Sequence, residues 1–87
     1  MLIVTEAASI RLAAKLTRKR VGDDVAMRFV RKQRGWRLRP DKPEPEDVAF
    51  AYEGRTVLVL GPQAVQRLAD RTLDARDTPA GPRLQLR

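Results

Sequence analysis

The stretch DVAFAYEGRTVLVL, residues 47–60, contains the strongest local folding signal in the chain. Val48, Phe50 and Tyr52 alternate with small residues, which is the two-residue period of a half-buried strand. Glu53 and Gly54 follow as a turn, and the Val-rich segment 56–60 returns. The pattern predicts a β-hairpin.

Residues on both sides of this hairpin predict further strands and two helices. On the N-terminal side, residues 1–4 suit a first strand, and Thr5 suits the N-cap of a helix that extends to about Arg20. Val25, Met27 and Phe29 alternate in the next strand, and Trp36 and Leu38 alternate in the one after it. The proline-rich segment 40–46 predicts a stiff, acidic loop. On the C-terminal side, the sequence predicts a short helix from Pro62 and two strands, the first around Leu73 and Ala75 and the second around Leu84 and Leu86.

These elements predict one domain over residues 1–87, mainly β or α+β, with an antiparallel-rich β-sandwich, one N-terminal helix and one short helix. Such a small chain has a thin core. No disulfide or cysteine-held metal can reinforce it, because the chain has no cysteine and no histidine. A homodimer is one way to bury more surface. No segment resembles a membrane span or a secretion signal, so we expect a cytoplasmic protein without a membrane partner.

The order of residues from the hairpin onward resembles the A-type iron–sulfur carrier family, the HesB-like or IscA-like domain. The resemblance includes PEDVAF, a glycine turn, TVLVL and TLDA, and the matching positions are Asp47, Val48, Phe50, Gly54, Val57, Val59, Leu68, Thr72 and Asp74. Gly81 and Leu84 roughly match the start of the family's last strand. The resemblance implies a HesB-like fold over nearly the whole chain and contacts with iron–sulfur assembly proteins.

The functional part of the family's pattern is missing. The resemblance places the family's first cysteine in a glycine-rich loop where this chain has RKQRGWRLRP, residues 31–40, and two more in a C-terminal Cys-x-Cys. Iron–sulfur clusters are held by thiolates, and this chain has none. We therefore expect no cofactor, no metal ligand and no cluster held through cysteine.

The segment 31–40 also forms part of a basic ribbon, residues 28–39, which contains the only tryptophan. Residues 1–42 contain twelve Lys and Arg against four Asp and Glu, within a chain of net charge +7. The ribbon's candidate anion- or partner-binding residues are Arg31, Lys32, Arg34, Trp36, Arg37 and Arg39. In one interpretation Trp36 packs into the core and the arginines form a solvated face. In others the arginines contact an acidic protein, or bind nucleic acid phosphates while Trp36 stacks on a base.

Other residues give weaker indications of chemistry. The acidic group Glu44, Glu46, Asp47 and Glu53 lacks the spacing of a calcium loop, and a solvated loop or a guard beside the hairpin edge is the simpler interpretation. Ser9 has no histidine to activate it, so no catalytic residue is expected. The sequence favours a non-catalytic accessory or protein-binding module, with a small basic nucleic-acid-binding protein as the rival.

Overall fold

A computed structural model describes all residues from 1 to 87, and it contains seven strands and two helices. In chain order they are β1 (Ile3–Val4), α1 (Glu6–Lys19), β2 (Ala26–Lys32), β3 (Gly35–Asp41), β4 (Val48–Tyr52), β5 (Arg55–Leu60), α2 (Pro62–Arg67), β6 (Thr72–Thr78) and β7 (Gly81–Leu86).

The strands form two mixed sheets, with the orders β1-β6-β7 and β3-β2-β5-β4. Strands joined by short turns pair antiparallel, as in β2–β3, β4–β5 and β6–β7. Parallel pairing joins β1 to β6 and β2 to β5, which are distant in sequence. The predicted α+β class with one long and one short helix is confirmed. The sequence did not indicate the two parallel pairings, because no hairpin connects those strands.

The core lies between α1 and the strands. Ala8, Leu12 and Leu16 form the fully buried stripe of α1, at the four-residue spacing that places side chains on one helix face. Strand β5 is buried on both faces, since Val57, Leu58, Val59 and Leu60 are all inaccessible to solvent. A strand buried on both sides is expected to be apolar throughout rather than alternating. Neither helix is long and apolar enough to span a membrane.

The β4–β5 hairpin has the predicted turn at Glu53 and Gly54. Both residues have positive φ, 50° at Glu53 and 80° at Gly54, and Tyr52 pairs with Arg55 across the turn. Positive φ at both central residues is the geometry of a type I′ turn, whose twist matches that of the strands it joins. The glycine therefore fits the turn, whereas Glu53 occupies a conformation that favours Asn or Gly.

The proline-rich segment starts later than predicted. Strand β3 includes Pro40, which lies opposite Met27, and ends at Asp41. A proline has no N–H to donate, but β3 is an edge strand of its sheet, and edge strands tolerate proline. The predicted loop is thus confined to the residues between β3 and β4.

Asp47 is not the solvated loop residue that the sequence suggested. Its side chain is only 3% exposed and accepts two hydrogen bonds from Arg28, at 2.9 and 2.6 Å. Arg28 also donates to Asp41 at 2.9 Å, and its side chain is 12% exposed. Hydrogen bonding to Arg28 lowers the pKa of Asp47, and the hydrogen bond to Asp47 raises the pKa of Arg28. The first arginine of the basic ribbon therefore stabilises the fold and is not free for a ligand.

Thr5 connects the start of α1 to the other end of the chain. Its hydroxyl accepts a hydrogen bond from the Ala8 amide, which is the predicted N-cap interaction. The same hydroxyl donates to Asp74 Oδ1 at 2.7 Å. This hydrogen bond lowers the pKa of Asp74, and one from the Ala75 amide lowers it further. Asp74 thus positions the cap of α1 through a part-buried hydrogen bond, which gives the TLDA motif a structural role.

Candidate anion-binding site

The basic ribbon folds as a tight β-hairpin. Strands β2 and β3 pair from Ala26–Asp41 to Lys32–Gly35, which leaves only Gln33 and Arg34 for the turn. Gly35 has a φ of 114°, a value that L side chains rarely adopt. The glycine-rich cysteine loop that the resemblance places here is therefore absent, and a short turn with exposed cations replaces it.

The hairpin separates the six predicted site residues. Arg31 and Trp36 lie directly opposite each other, so their side chains leave the same face of the sheet. Lys32 and Arg34 are exposed at the hairpin end, and Arg37 and Arg39 are exposed along β3. Arg39 is the only one of the five cations with a carboxylate nearby, since its Nη2 lies 4.0 Å from Asp41 Oδ2. No Asp or Glu lies within 4.0 Å of the charged groups of the other four.

Trp36 is half-buried and has two close partners. Its ring meets the buried ring of Phe29 edge to face, with centroids 6.2 Å apart and an interplanar angle of 82°. The guanidinium of Arg31 lies over the indole, with its carbon 5.4 Å from the ring centroid. The arrangement is a cation–π contact. Trp36 thus packs against the core on one side and supports an exposed positive charge on another.

An open cavity of about 510 Å³ lies between this hairpin and the β6–β7 hairpin. Its apolar residues come from both sheets, and the complete lining is Phe29, Arg31, Gly35, Trp36, Arg37, Leu38, Arg71, Leu73, Leu84 and Leu86. Three of the ten are arginines and none is acidic. The structure therefore brings Arg31, Trp36 and Arg37 together at one cavity, and places Lys32, Arg34 and Arg39 outside it.

Arg71 is the lining residue that sequence reasoning missed. It precedes β6, and its guanidinium donates to the carbonyl oxygens of Arg87, at 2.9 Å, and Leu86, at 3.4 Å. These hydrogen bonds fix the guanidinium beside the end of β7. Arg71 is distant in sequence from the basic ribbon, so only the arrangement of the two sheets could have indicated it.

A second basic recess adjoins the cavity at Leu38 and Leu84. It has a volume of about 470 Å³, and its charged residues are Arg11, Lys15 and Arg83. Burial lowers the pKa of Lys15, and the positive charge of Arg11 lowers it further. The Nε of Arg11 is buried without a hydrogen-bond partner. Both recesses are therefore lined by cations without carboxylates.

Comparison with known proteins identifies the fold. No family model and no curated protein sequence matches this chain. Among solved structures, SufA of Escherichia coli, involved in biosynthesis of iron–sulfur clusters, superposes with a TM-score of 0.78 at 22% identity, over 99% of this chain and 83% of SufA. IscA, solved with its [2Fe-2S] cluster, superposes with a TM-score of 0.66 at 19% identity, over 100% of this chain and 84% of IscA. The expected resemblance is confirmed for the fold: the chain has the HesB-like fold of the A-type iron–sulfur carriers and contains no cysteine.

Proposed function

We propose that this protein is a non-catalytic binding module that contacts an acidic protein of iron–sulfur cluster assembly in the cytoplasm. The β2–β3 hairpin is its contact surface. The observation that carries the proposal is the set of exposed hairpin cations without a nearby carboxylate, namely Arg31, Lys32, Arg34 and Arg37. Unpaired charges of one sign attract and orient a partner of opposite charge. The likeness of the fold to SufA and IscA supports the choice of partner class.

The residues present give catalysis little support. The chain has no cysteine or histidine, so a hydroxyl nucleophile would need another general base. Ser9, the only serine, is buried on α1 within the core face. A binding role needs none of these groups.

Trp36 favours a protein partner over nucleic acid. Single-strand-binding proteins stack bases on exposed aromatic faces, whereas Arg31 already covers part of this indole and Phe29 abuts it. A stacking base would have to displace the Arg31 guanidinium and lose the cation–π contact. An acidic protein surface can pair with the hairpin cations and leave Trp36 where it is.

The proposal is tested by affinity capture from an extract of the source cells, followed by binding measurements with the purified partner at near-physiological salt. We expect an acidic iron–sulfur assembly protein to be captured. The triple variant Lys32→Gln/Arg34→Gln/Arg37→Gln should weaken its binding by about tenfold or more, because removing charges at an interface mainly slows association.

The matched control neutralises three exposed cations elsewhere, in Arg18→Gln/Arg67→Gln/Arg76→Gln, with the same change in net charge. Binding to the control should stay within about twofold of the original, since long-range attraction is screened at this salt. Equal weakening in both variants would show that the hairpin contributes only to the net charge of the protein and is not the contact surface. Capture of nucleic acid instead, lost in the hairpin variant alone, would establish the rival function. Sedimentation of the original protein and of the hairpin variant, run alongside, measures whether the protein self-associates and whether the hairpin cations are needed for it.

A further inference from the structure

We propose that the cavity between the β2–β3 and β6–β7 hairpins binds a small amphipathic carboxylate, a molecule with an apolar body and one anionic end. This site shares Arg31 and Arg37 with the proposed protein contact, and it adds apolar residues of both hairpins and Arg71, which that contact does not use. The volume of about 510 Å³ lies within the range of small-molecule sites, roughly 300–1,000 Å³.

The apolar walls of the cavity indicate that the uncharged part of the ligand is apolar. Phe29 and Leu73 are buried beneath it, and Trp36, Leu38, Leu84 and Leu86 are half-buried around it. Covering these side chains removes apolar surface from water, which favours binding by about 25 cal/mol per Å². A sugar phosphate or an inorganic anion has no apolar part to place there. An aliphatic or aromatic body does.

The arginines determine the charge of the ligand. Arg31 and Arg37 are exposed and pair with no carboxylate, so an anion would meet them without displacing an existing ion pair. Arg71 uses two of its five N–H donors on backbone carbonyls, and the rest remain for a ligand. Planar guanidinium groups match a carboxylate in shape as well as in charge. No acidic residue lines the cavity, so a positively charged group on a ligand would find no partner there and would be repelled by the arginines.

The position of Arg31 and the restraint on its side chain favour it as the principal contact for the ligand's carboxylate. The indole of Trp36 holds its guanidinium at 5.4 Å from the ring centroid, directly above the apolar wall. A side chain already restrained by stacking loses less conformational freedom when it binds a ligand. The carboxylate would then sit at Arg31 while the apolar body lies against Trp36 and the leucines.

The only tryptophan of the chain lines this cavity, so its fluorescence reports binding directly. Three probes share one apolar body: octanoate, octanol and octylammonium. At near-physiological salt we expect octanoate to change the Trp36 emission saturably. Octanol should bind at least about tenfold more weakly and octylammonium more weakly still, and tenfold corresponds to about 1.4 kcal/mol.

Arg31→Glu reverses the charge at an exposed position and should leave the fold intact, which far-ultraviolet circular dichroism checks. This variant should bind octanoate at least about tenfold more weakly, and its preference for octanoate over octylammonium should narrow, since Arg37 and Arg71 remain. Arg76→Gln, which changes an exposed arginine on β6 outside the cavity, should bind octanoate as the original protein does. Three results would each overturn the proposal: no saturable emission change, equal affinity of the original protein for octanoate and octylammonium, or an unchanged octanoate affinity in Arg31→Glu.

Discussion

At the scale of single residues, the ion pair between Arg28 and Asp47 is expected to dominate local stability, because their side chains are only 12% and 3% exposed. Removing one member of a buried pair leaves an uncompensated charge, at a cost of about 3–5 kcal/mol. Arg28 is partly exposed and retains Asp41 and the Lys42 carbonyl as partners, so we expect Asp47→Ala to lower the free energy of unfolding by less than this, about 2 kcal/mol. Urea denaturation measures this loss.

The surface pair of Lys42 and Asp24 is the control for this prediction. Their side chains are 75% and 67% exposed and 3.5 Å apart, so Asp24→Ala should cost less than about 1 kcal/mol. The double variant Arg28→Met/Asp47→Ala should lose less than the sum of the two single variants, since neither charge then remains buried alone. Strict additivity would show that the pair contributes no coupling.

The dependence of stability on acid pH gives a second test of the ion pair between Arg28 and Asp47. An Asp whose pKa is lower in the folded than in the unfolded protein stabilises the fold above its unfolded pKa of about 3.9, and this contribution is lost as pH falls through the folded pKa. The pKa values of Asp47 and Asp74 are both lowered. Stability should therefore decrease below about pH 4, and less steeply in Asp47→Ala than in the original protein.

The roles of individual side chains were the part of the structure that the sequence predicted least well. Alternation along β2 correctly separated Met27 and Phe29 from Arg28, but it could not show that the loop before β4 covers Arg28. Asp47 matches an acidic position of the family pattern, but the sequence alone offers no physical reason for an acidic residue there. Its hydrogen bonds to Arg28 provide that reason. In both cases the decisive partner lies 19 residues away, beyond the range of local patterns.

At the scale of elements, the turn between β4 and β5 contains a residue that does not suit its backbone. Glu53 has a φ of 50°, and Asn adopts such left-handed conformations more readily than Glu does. We expect Glu53→Asn to raise the free energy of unfolding by about 0.5–1 kcal/mol, read from the urea midpoint at constant slope.

Glu53→Gln is the matched control, because it removes the same charge without relieving the backbone. This variant should change stability by less than about 0.5 kcal/mol, as is usual for surface substitutions. If the Gln variant were stabilised as much as the Asn variant, charge and not turn geometry would be the cause.

Elements defined by local signals were predicted well, and their distant pairings were not. The Glu53-Gly54 turn and the Thr5 cap have clear signatures in a few adjacent residues. Parallel contacts, such as Met27 with Leu58, carry no such signature. The candidate cavity depends on how the two sheets are arranged, so Arg31, Trp36 and Arg37 were identified from the ribbon and Arg71 was not.

At the scale of the whole molecule, the carrier fold without sulfur ligands makes a clear biochemical prediction. Clusters need thiolate ligands and the chain has none, so anaerobic incubation with ferrous iron and sulfide should leave no cluster on the protein. The measurement is visible absorption after desalting, with IscA, which was solved with its [2Fe-2S] cluster, treated in parallel as the positive control. A stoichiometric, stable chromophore on this chain would contradict the prediction and require oxygen or nitrogen ligands.

The link between the two ends of the chain also affects the order of folding. Strand β1 pairs only with β6, in register from Ile3 to Thr72, and Thr5 meets Asp74 across 69 residues. Contacts between such distant residues close long loops, and proteins rich in them fold slowly. On the ribosome, β1 and the start of α1 emerge first but must wait for β6 to be synthesised. The four-stranded sheet, complete by Leu60, can form earlier and serve as the surface on which the remainder of the chain assembles.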